Sequence, residues 1–579
     1  MGANGSDPEG FERFERFLEQ WSRRDFLRRA GGTTAFAAFG GGALAAFLEA
    51  CGNGSSSSPS PSAGTAKNGG HVTEGWFSDI KTFNSVLIQD TYSSICAGLV
   101  NDGLLTSTAK GELIPAIAQA VPKAGSDGLT YEFKLRQNVK WSDGTQLTSD
   151  DVMFTYNLIF SPDYAAVASP RRGDFTGHVA SITAPDKYTF VVKTKAPYAP
   201  LLVTHGQYPI MPKHVLGALP AAAINTADYN SAPTVSNGAF KFVKWDKGAQ
   251  VVLAKNPDYY RGAPHLDQFV YKVVPSTTAV ADQLKTGEID AGQIDPSQVA
   301  EMQTQQGVSI TPVNTPSFEF YMQQLDPAKP ASQIFGDQAV RQALYYALDR
   351  QGIVKTAIYG QGVVADSVEP ITSWAHTAAK PAYTFNAAKA NQMLDQAGWQ
   401  KGPDGIRAKG GKKLQFTMQY PSSTPALANV AQIMQQNWKA VGVDMTPQQV
   451  QFTQIVTQIT NTRSFDMILI GFNFTQDPDE AQLFGSAGTA NGGFNGFDFK
   501  NPQVDQLLAQ ATGTVDQAKR KQFYAQYQNL MQEQLPAPIL YFAKQNYGVS
   551  QRVKGYGFGT FNQYQQRPWM KDVWVTDGK

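Results

Sequence analysis

Cys51 is the residue of this chain with the most definite chemistry. It closes Leu48-Glu49-Ala50-Cys51, which resembles a bacterial lipobox, where the cysteine thiol takes a lipid and the residue becomes the new N-terminus. Upstream, Arg23 and Arg24 stand in Ser22-Arg23-Arg24-Asp25-Phe26-Leu27, ahead of a Gly/Ala-rich apolar run at 31–50. Paired arginines, Phe-Leu and a weakly hydrophobic core form the layout of a twin-arginine export signal. Together they place the mature protein outside the cytoplasm, lipid-anchored on the outer face of the cytoplasmic membrane or in the periplasm. A permanent span needs roughly 20 predominantly apolar residues; the run has the length, but it is rich in Gly, Ala and Thr and ends in Glu49. Glu49 is an unusual neighbour for the cut, and without cleavage the segment would stay as an uncleaved signal anchor.

The remaining reactive side chains suggest no catalysis. Cys96 lies in the apolar stretch 93–100 and reads as a small core residue. With Cys51 lipidated, no internal disulfide can form between the 2 cysteines. The 6 histidines (71, 178, 205, 214, 265, 376) have no metal-ligand spacing, and no cofactor is implied. No G-x-S-x-G, H-E-x-x-H or C-x-x-C occurs. With Lys+Arg 49 against Asp+Glu 48, no basic stripe points to nucleic acid.

The elements that must position any site begin after a Ser/Gly/Pro-rich tether at 51–69, which has almost nothing apolar to bury. The remaining 510 residues are too many for one simple core. Leu129, Tyr131, Phe133 and Leu135 alternate with polar residues, as do Tyr188, Phe190 and Val192; both read as half-buried strands. Thr148 or Ser149 caps a helix with Asp150 and Asp151 in its first turn and Val152, Met153, Tyr156, Ile159 and Phe160 as its buried stripe. Strands are expected at 239–245, 250–255, 268–274 and 465–471. Helices are expected at 277–285, stopped by Gly287, after Asp337, around Leu427–Val441, and at 518–534. Mixed strands and helices without a repeat argue for a multi-domain α/β architecture.

Several of these segments together resemble the extracellular solute-binding protein family 5, the peptide, dipeptide and nickel-chelate-binding class that serves ABC importers. The carrying stretches run in order along the mature chain. They are Asp90-Thr91-Tyr92 with 98–105; Leu113-Ile114-Pro115-Ala116-Ile117-Ala118; 127–136 with Val139-Lys140-Trp141-Ser142-Asp143-Gly144 and 147–156; Ser236-Asn237-Gly238-Ala239-Phe240; Asn256-Pro257-Asp258-Tyr259-Tyr260; Leu284-Lys285-Thr286-Gly287-Glu288-Ile289-Asp290; and Val340-Arg341-Gln342-Ala343-Leu344 through Arg350.

The resemblance implies a two-lobed, periplasmic-binding-protein-like α/β clamp with an inserted subdomain. Lobe I would comprise 70–113, 235–304 and 547–579, the insertion 114–234, and lobe II 305–546, after a signal at 1–50. It implies a monomeric substrate-binding component that captures a peptide or peptide-like solute between its lobes and delivers it to ABC permease subunits, held to the membrane by lipid. The same fold could serve a ligand-sensing or surface-interaction lipoprotein; an exported enzyme is the remoter alternative. In peptide-binding relatives an aspartate, in patterns such as GWxxDxxDP, pairs with the ligand's α-ammonium. Here the stretch is Gly471-Phe472-Asn473-Phe474-Thr475-Gln476-Asp477-Pro478, and the aspartate's place falls on Phe474 or Thr475, neither of which can carry the charge. Asp477 could substitute by shifting inward, or could form a turn before Pro478. By position Phe472, Asn473, Phe474, Tyr92 and Trp374 are the further ligand-binding candidates.

Overall fold

The computed structural model describes residues 65–579 except 275, 423, 425, 491–492 and 558–566. Arg23, Arg24, Cys51 and the first part of the tether lie outside the described residues.

Local chemistry sets the elements. β1 (His71–Trp76) is followed by α1 (Thr91–Val100), whose N-cap Asp90 accepts the Ser93 amide at 2.8 Å. β2 (Thr130–Lys134) buries Tyr131 and Phe133 and exposes Glu132 and Lys134. α2 (Ser149–Phe160) opens on a full capping box: Thr148 accepts from the helix, and the Asp151 carboxylate accepts the Thr148 amide at 3.0 Å. β3 (Val179–Asp186) and β4 (Thr189–Thr194) complete an antiparallel sheet in the order β2-β4-β3. The buried face of α2 is wider than its expected stripe. Val152, Tyr156 and Ile159 are buried, Met153 and Phe160 only partly, and Phe154 and Leu158 are buried as well. The helix packs against the small sheet and also against the short helices Arg172–His178 and Lys213–Leu216.

The larger sheet takes its strands from the rest of the chain. They are β5 (Phe240–Asp246), β6 (Gln250–Lys255), β7 (Gln268–Val273), β8 (Ala291–Ile294), β9 (Val308–Gln323), β10 (Gly362–Val364), β11 (Gln415–Pro421), β12 (Asp444–Val450), β13 (Met467–Asn473) and β14 (Ile539–Ser550), with β1. Helix α3 (Thr277–Thr286) stops at Gly287, which takes the left-handed conformation with φ 74°. Helix α4 (Gln338–Tyr346) is capped by Asp337, α5 (Ala426–Ala440) buries Leu427, Val430 and Met434, and α6 (Gln517–Gln534) is capped by Asp516.

The order is β12-β11-β13-β9-β14-β8-β1-β7-β6-β5, with β10 on β14. Two long antiparallel strands join its halves. β9 pairs with β13 through Ser317–Gln323 and with β14 along most of its length; β14 reaches β8 through Asn546–Val549. Sequence patterning does not announce β9, because Pro312 and Pro316 interrupt it; the strand accommodates them with a register shift between Asn314 and Phe318.

Apolar packing divides along the chain. Residues between Val86 and Val235 share a core around Trp141, Tyr156 and Phe190. Residues from 72–100, 239–291 and 549–575 share another around Trp76 and Tyr271. Residues 318–542 supply two more, one around Trp438 and one around Tyr524 and Tyr527. No helix among the described residues is long and apolar enough to cross a membrane.

Candidate functional site

The C-terminal end of β13 and the facing part of β9 bring the aromatic candidates together. Side chains alternate along a strand, so Phe472 and Phe474 share one face and Asn473 takes the other. Phe474 is buried and stacks on Phe318 of β9, centroids 4.2 Å apart. Phe472 is half-buried, edge-on to Phe320 at 5.7 Å and to the exposed Phe494 at 5.8 Å. Asn473 is exposed, and its side-chain oxygen accepts the Ser317 hydroxyl. β11 pairs with β13 only at Met467 and Ile468, so beyond them β13 has a strand on one side alone among the described residues. Gly471 and Asn473 are exposed along this open stretch.

Asp477 lies just past β13 and is fully engaged. Arg520 of α6 grips its carboxylate with both terminal nitrogens, Nη1 to Oδ2 at 2.7 Å and Nη2 to Oδ1, and the two side chains are each 6% exposed. Arg520 Nε also donates to the Ala511 carbonyl at 2.7 Å. The guanidinium stands 4.9 Å from the centre of the half-buried Trp374 ring, with Tyr524 edge-on to that ring at 5.7 Å. Trp374 and Asp477 are thus brought together through Arg520, a partner 43 residues from Asp477 that sequence reasoning missed.

Beside this pair sit two more buried carboxyls. Glu369 and Glu480 interact electrostatically, and Tyr527 donates its hydroxyl to Glu480. Burial raises both above the usual glutamate range, and the Glu369 charge raises Glu480 further.

Tyr92 lies in the other half. It is half-buried in the first turn of α1, edge-on to Trp76 at 5.3 Å, and burial and then Asp90 raise its hydroxyl pKa. Behind it Arg567 stands 4.9 Å from the Trp76 ring centre and pairs with Glu74 at 2.5 Å, both side chains 1% exposed. Cys96, in the same core, is buried and free, and burial pushes its thiol up, which removes it as a nucleophile. Among the described residues no group of three or more His, Cys, Asp or Glu could hold a metal ion.

Loops from the two sides touch beyond the aromatic cluster. Gln207 donates to Gln476 at 2.8 Å, and Gln476 donates to the Gly111 carbonyl at 3.3 Å. The Ala199 amide donates to Thr512 at 2.8 Å, and Tyr198, stacked on His178 with centroids 3.7 Å apart, donates to Asp479 at 3.4 Å.

Residues 112–494 match the model of the bacterial extracellular solute-binding proteins, family 5 Middle. The chain is 30% identical over 528 residues to the oligopeptide-binding protein AppA of Bacillus subtilis, covering 89% of this chain and 94% of that protein. The structure of AppA in complex with a nonapeptide superposes with a TM-score of 0.72 at 27% identity, over 88% of this chain and 100% of AppA. NikZ from Campylobacter jejuni, solved with Ni(L-His), gives a TM-score of 0.72 at 26% identity, over 85% of this chain and 96% of NikZ.

Proposed function

Because the chain belongs to the bacterial extracellular solute-binding proteins of family 5, we propose that it captures a peptide or peptide-like solute between two lobes and delivers it to ABC permease subunits. The fold is the family's two-lobed α/β clamp, and the family is one of substrate-binding transport components rather than enzymes. The observation that carries the peptide reading is the open edge of β13 at Gly471–Asn473. An extended peptide can add to such an edge through its own backbone, while side-chain pockets supply preference. Phe472 and Phe494 offer apolar surface beside that edge, and relatives such as AppA are peptide binders.

The mechanism is a shift between open and closed clamps. A ligand that touches both lobes only in the closed form draws the population there. The lobes are assigned as 70–113, 235–304 and 547–579 against 305–546, with 114–234 inserted. Separate apolar cores in 72–100 with 239–291 and 549–575, and in 318–542, support the two lobes, although the core of the insertion also takes in Val86, Leu104 and Leu105 of 70–113; the junction at 546–547 falls within β14, one of the strands joining the sheet halves. In this assignment the contacts of Gln207 and Gly111 with Gln476, Tyr198 with Asp479 and Ala199 with Thr512 are the closing contacts. In this reading Arg23 and Arg24 direct export, and a lipid on Cys51 tethers the monomer at the outer face of the cytoplasmic membrane near its permease. Cys51→Ser then moves the protein from the membrane fraction to the soluble one.

Backbone pairing is tested by retention on the immobilised protein of two random pools of short peptides, one unmodified and one N-methylated at every amide. The reading requires the first pool to be retained and the second lost. Equal retention of both would remove the edge-pairing mode.

A further inference from the structure

Glu319 is a carboxyl beside the open edge with which no cation of the described residues pairs. It sits in β9, in register with Gly471 of β13 on one side and Tyr541 of β14 on the other. Its Oε2 is shut off from solvent and has no hydrogen-bond partner. No arginine, lysine or histidine among the described residues pairs with it, in contrast to Asp477 with Arg520 and Glu74 with Arg567. The residue as a whole is half-buried, but an oxygen shut off from solvent without a partner is costly, and native structures pair such groups or leave them for a ligand.

The neighbourhood is built around this carboxyl. A Cβ added at Gly471 would lie 2.5 Å from Glu319 Oε1 and 2.8 Å from Oε2, so only glycine there leaves the group its place. The strand period puts Glu319, Ser317, Gly471 and Asn473 on one face, since Glu319 faces Gly471 and Ser317 faces Asn473 in the ladder. Gly471 and Asn473 are the exposed residues of the open edge.

We infer that Glu319 is the specificity-determining residue that receives the cationic amino group of the ligand, the α-ammonium of a peptide. This rests on the peptide reading above. Burial pushes the Glu319 carboxyl up to about 8, with no neighbouring charge to offset it. The empty site therefore holds a proton there at neutral pH, and burial holds the neighbouring Tyr541 hydroxyl un-ionised. When the ammonium arrives, the Glu319 proton passes to solvent and the carboxylate pairs with the ligand cation. The chemistry balances as one proton released for one ammonium bound.

The test uses the most abundant peptide eluted from the purified protein, resynthesised with a free and with an acetylated N-terminus. Calorimetry at pH 6.5 in two buffers of different ionisation enthalpy gives affinity and proton release together. The free peptide is expected to bind wild type with release of close to one proton, and the acetylated one without release. Glu319→Gln, which keeps the shape of the protonated carboxyl, is expected to weaken the free peptide about thirtyfold and to abolish the release, with the acetylated peptide unchanged. Gly471→Ala, which displaces the carboxyl, is expected to abolish the proton release on binding of the free peptide. Unchanged affinity and proton release in Glu319→Gln would overturn the assignment while leaving the peptide reading intact. Wild-type protein that yields no peptide and retains none from a random pool would overturn both.

Discussion

Two stacks of tryptophan, arginine and carboxylate occupy different halves of the molecule. In one, Trp76 is 3% exposed, Arg567 lies over its ring, and Glu74 closes the pair. In the other, Trp374 is half-buried, Arg520 lies over its ring, and Asp477 closes the pair. The chemistry is the same and the surroundings differ. The first stack is sealed in a core and fastens the segment after 566 to β1. The second lies at the loops that follow β13, beside the buried carboxyls of Glu369 and Glu480, whose pKa values burial raises. Neither carboxylate is left over for a ligand. A polar group at this site is therefore better judged by whether the fold has already paired it than by its charge, and on that criterion Glu319 differs from the carboxylates of both stacks.

Breaking the sealed stack should have the largest effect. Glu74→Leu leaves Arg567 charged and buried, and removing one partner of a buried pair costs about 3–5 kcal/mol. A urea titration should show this as a lower midpoint, while the double change Glu74→Leu with Arg567→Met should recover most of it. Arg520→Met strands Asp477 among Glu369, Glu480 and Asp479. Its stability cost is expected at about 2–3 kcal/mol, smaller because the loops can admit water, and a drop as large as that of Glu74→Leu would erase the distinction between the stacks.

The carboxyl pair sharpens the comparison through pH. Burial raises Glu369 and Glu480 in the folded protein, so the folded state binds protons more tightly than the unfolded chain. Their contribution is present in full below the usual glutamate value of about 4.3 and is lost as pH rises through the folded values. Thermal midpoints should therefore fall from acid toward neutral and alkaline pH, and Glu480→Gln should flatten that fall. The smallest effect is expected from Trp374→Leu, which removes the ring beneath Arg520 at roughly 1 kcal/mol. If Trp374 also lines the ligand, peptide retention will fall further than stability does.

What could be read from the sequence was local. The Thr148 cap, the Gly287 stop and the alternation of Tyr131 and Phe133 each depend on neighbours a few residues away, and the elements form there. β9 escaped because two prolines break its pattern, though Glu319 alone within the apolar run Phe318-Glu319-Phe320-Tyr321-Met322 was a usable signal. At the candidate site, Phe472 and Phe474 lie on one aromatic face, while the engagement of Asp477 was not legible. Arg520 lies 43 residues away, and Glu369 meets Glu480 across a still longer stretch, so only the packing of α6 and the intervening loops brings these groups together.

The most direct measurement is native mass spectrometry of the protein purified from the cell envelope, followed by gentle denaturation and identification of what is released. Capture by backbone pairing predicts a heterogeneous set of short peptides, with free N-termini throughout. A single non-peptide species, or a protein carrying no mass beyond its own chain and lipid, would contradict it.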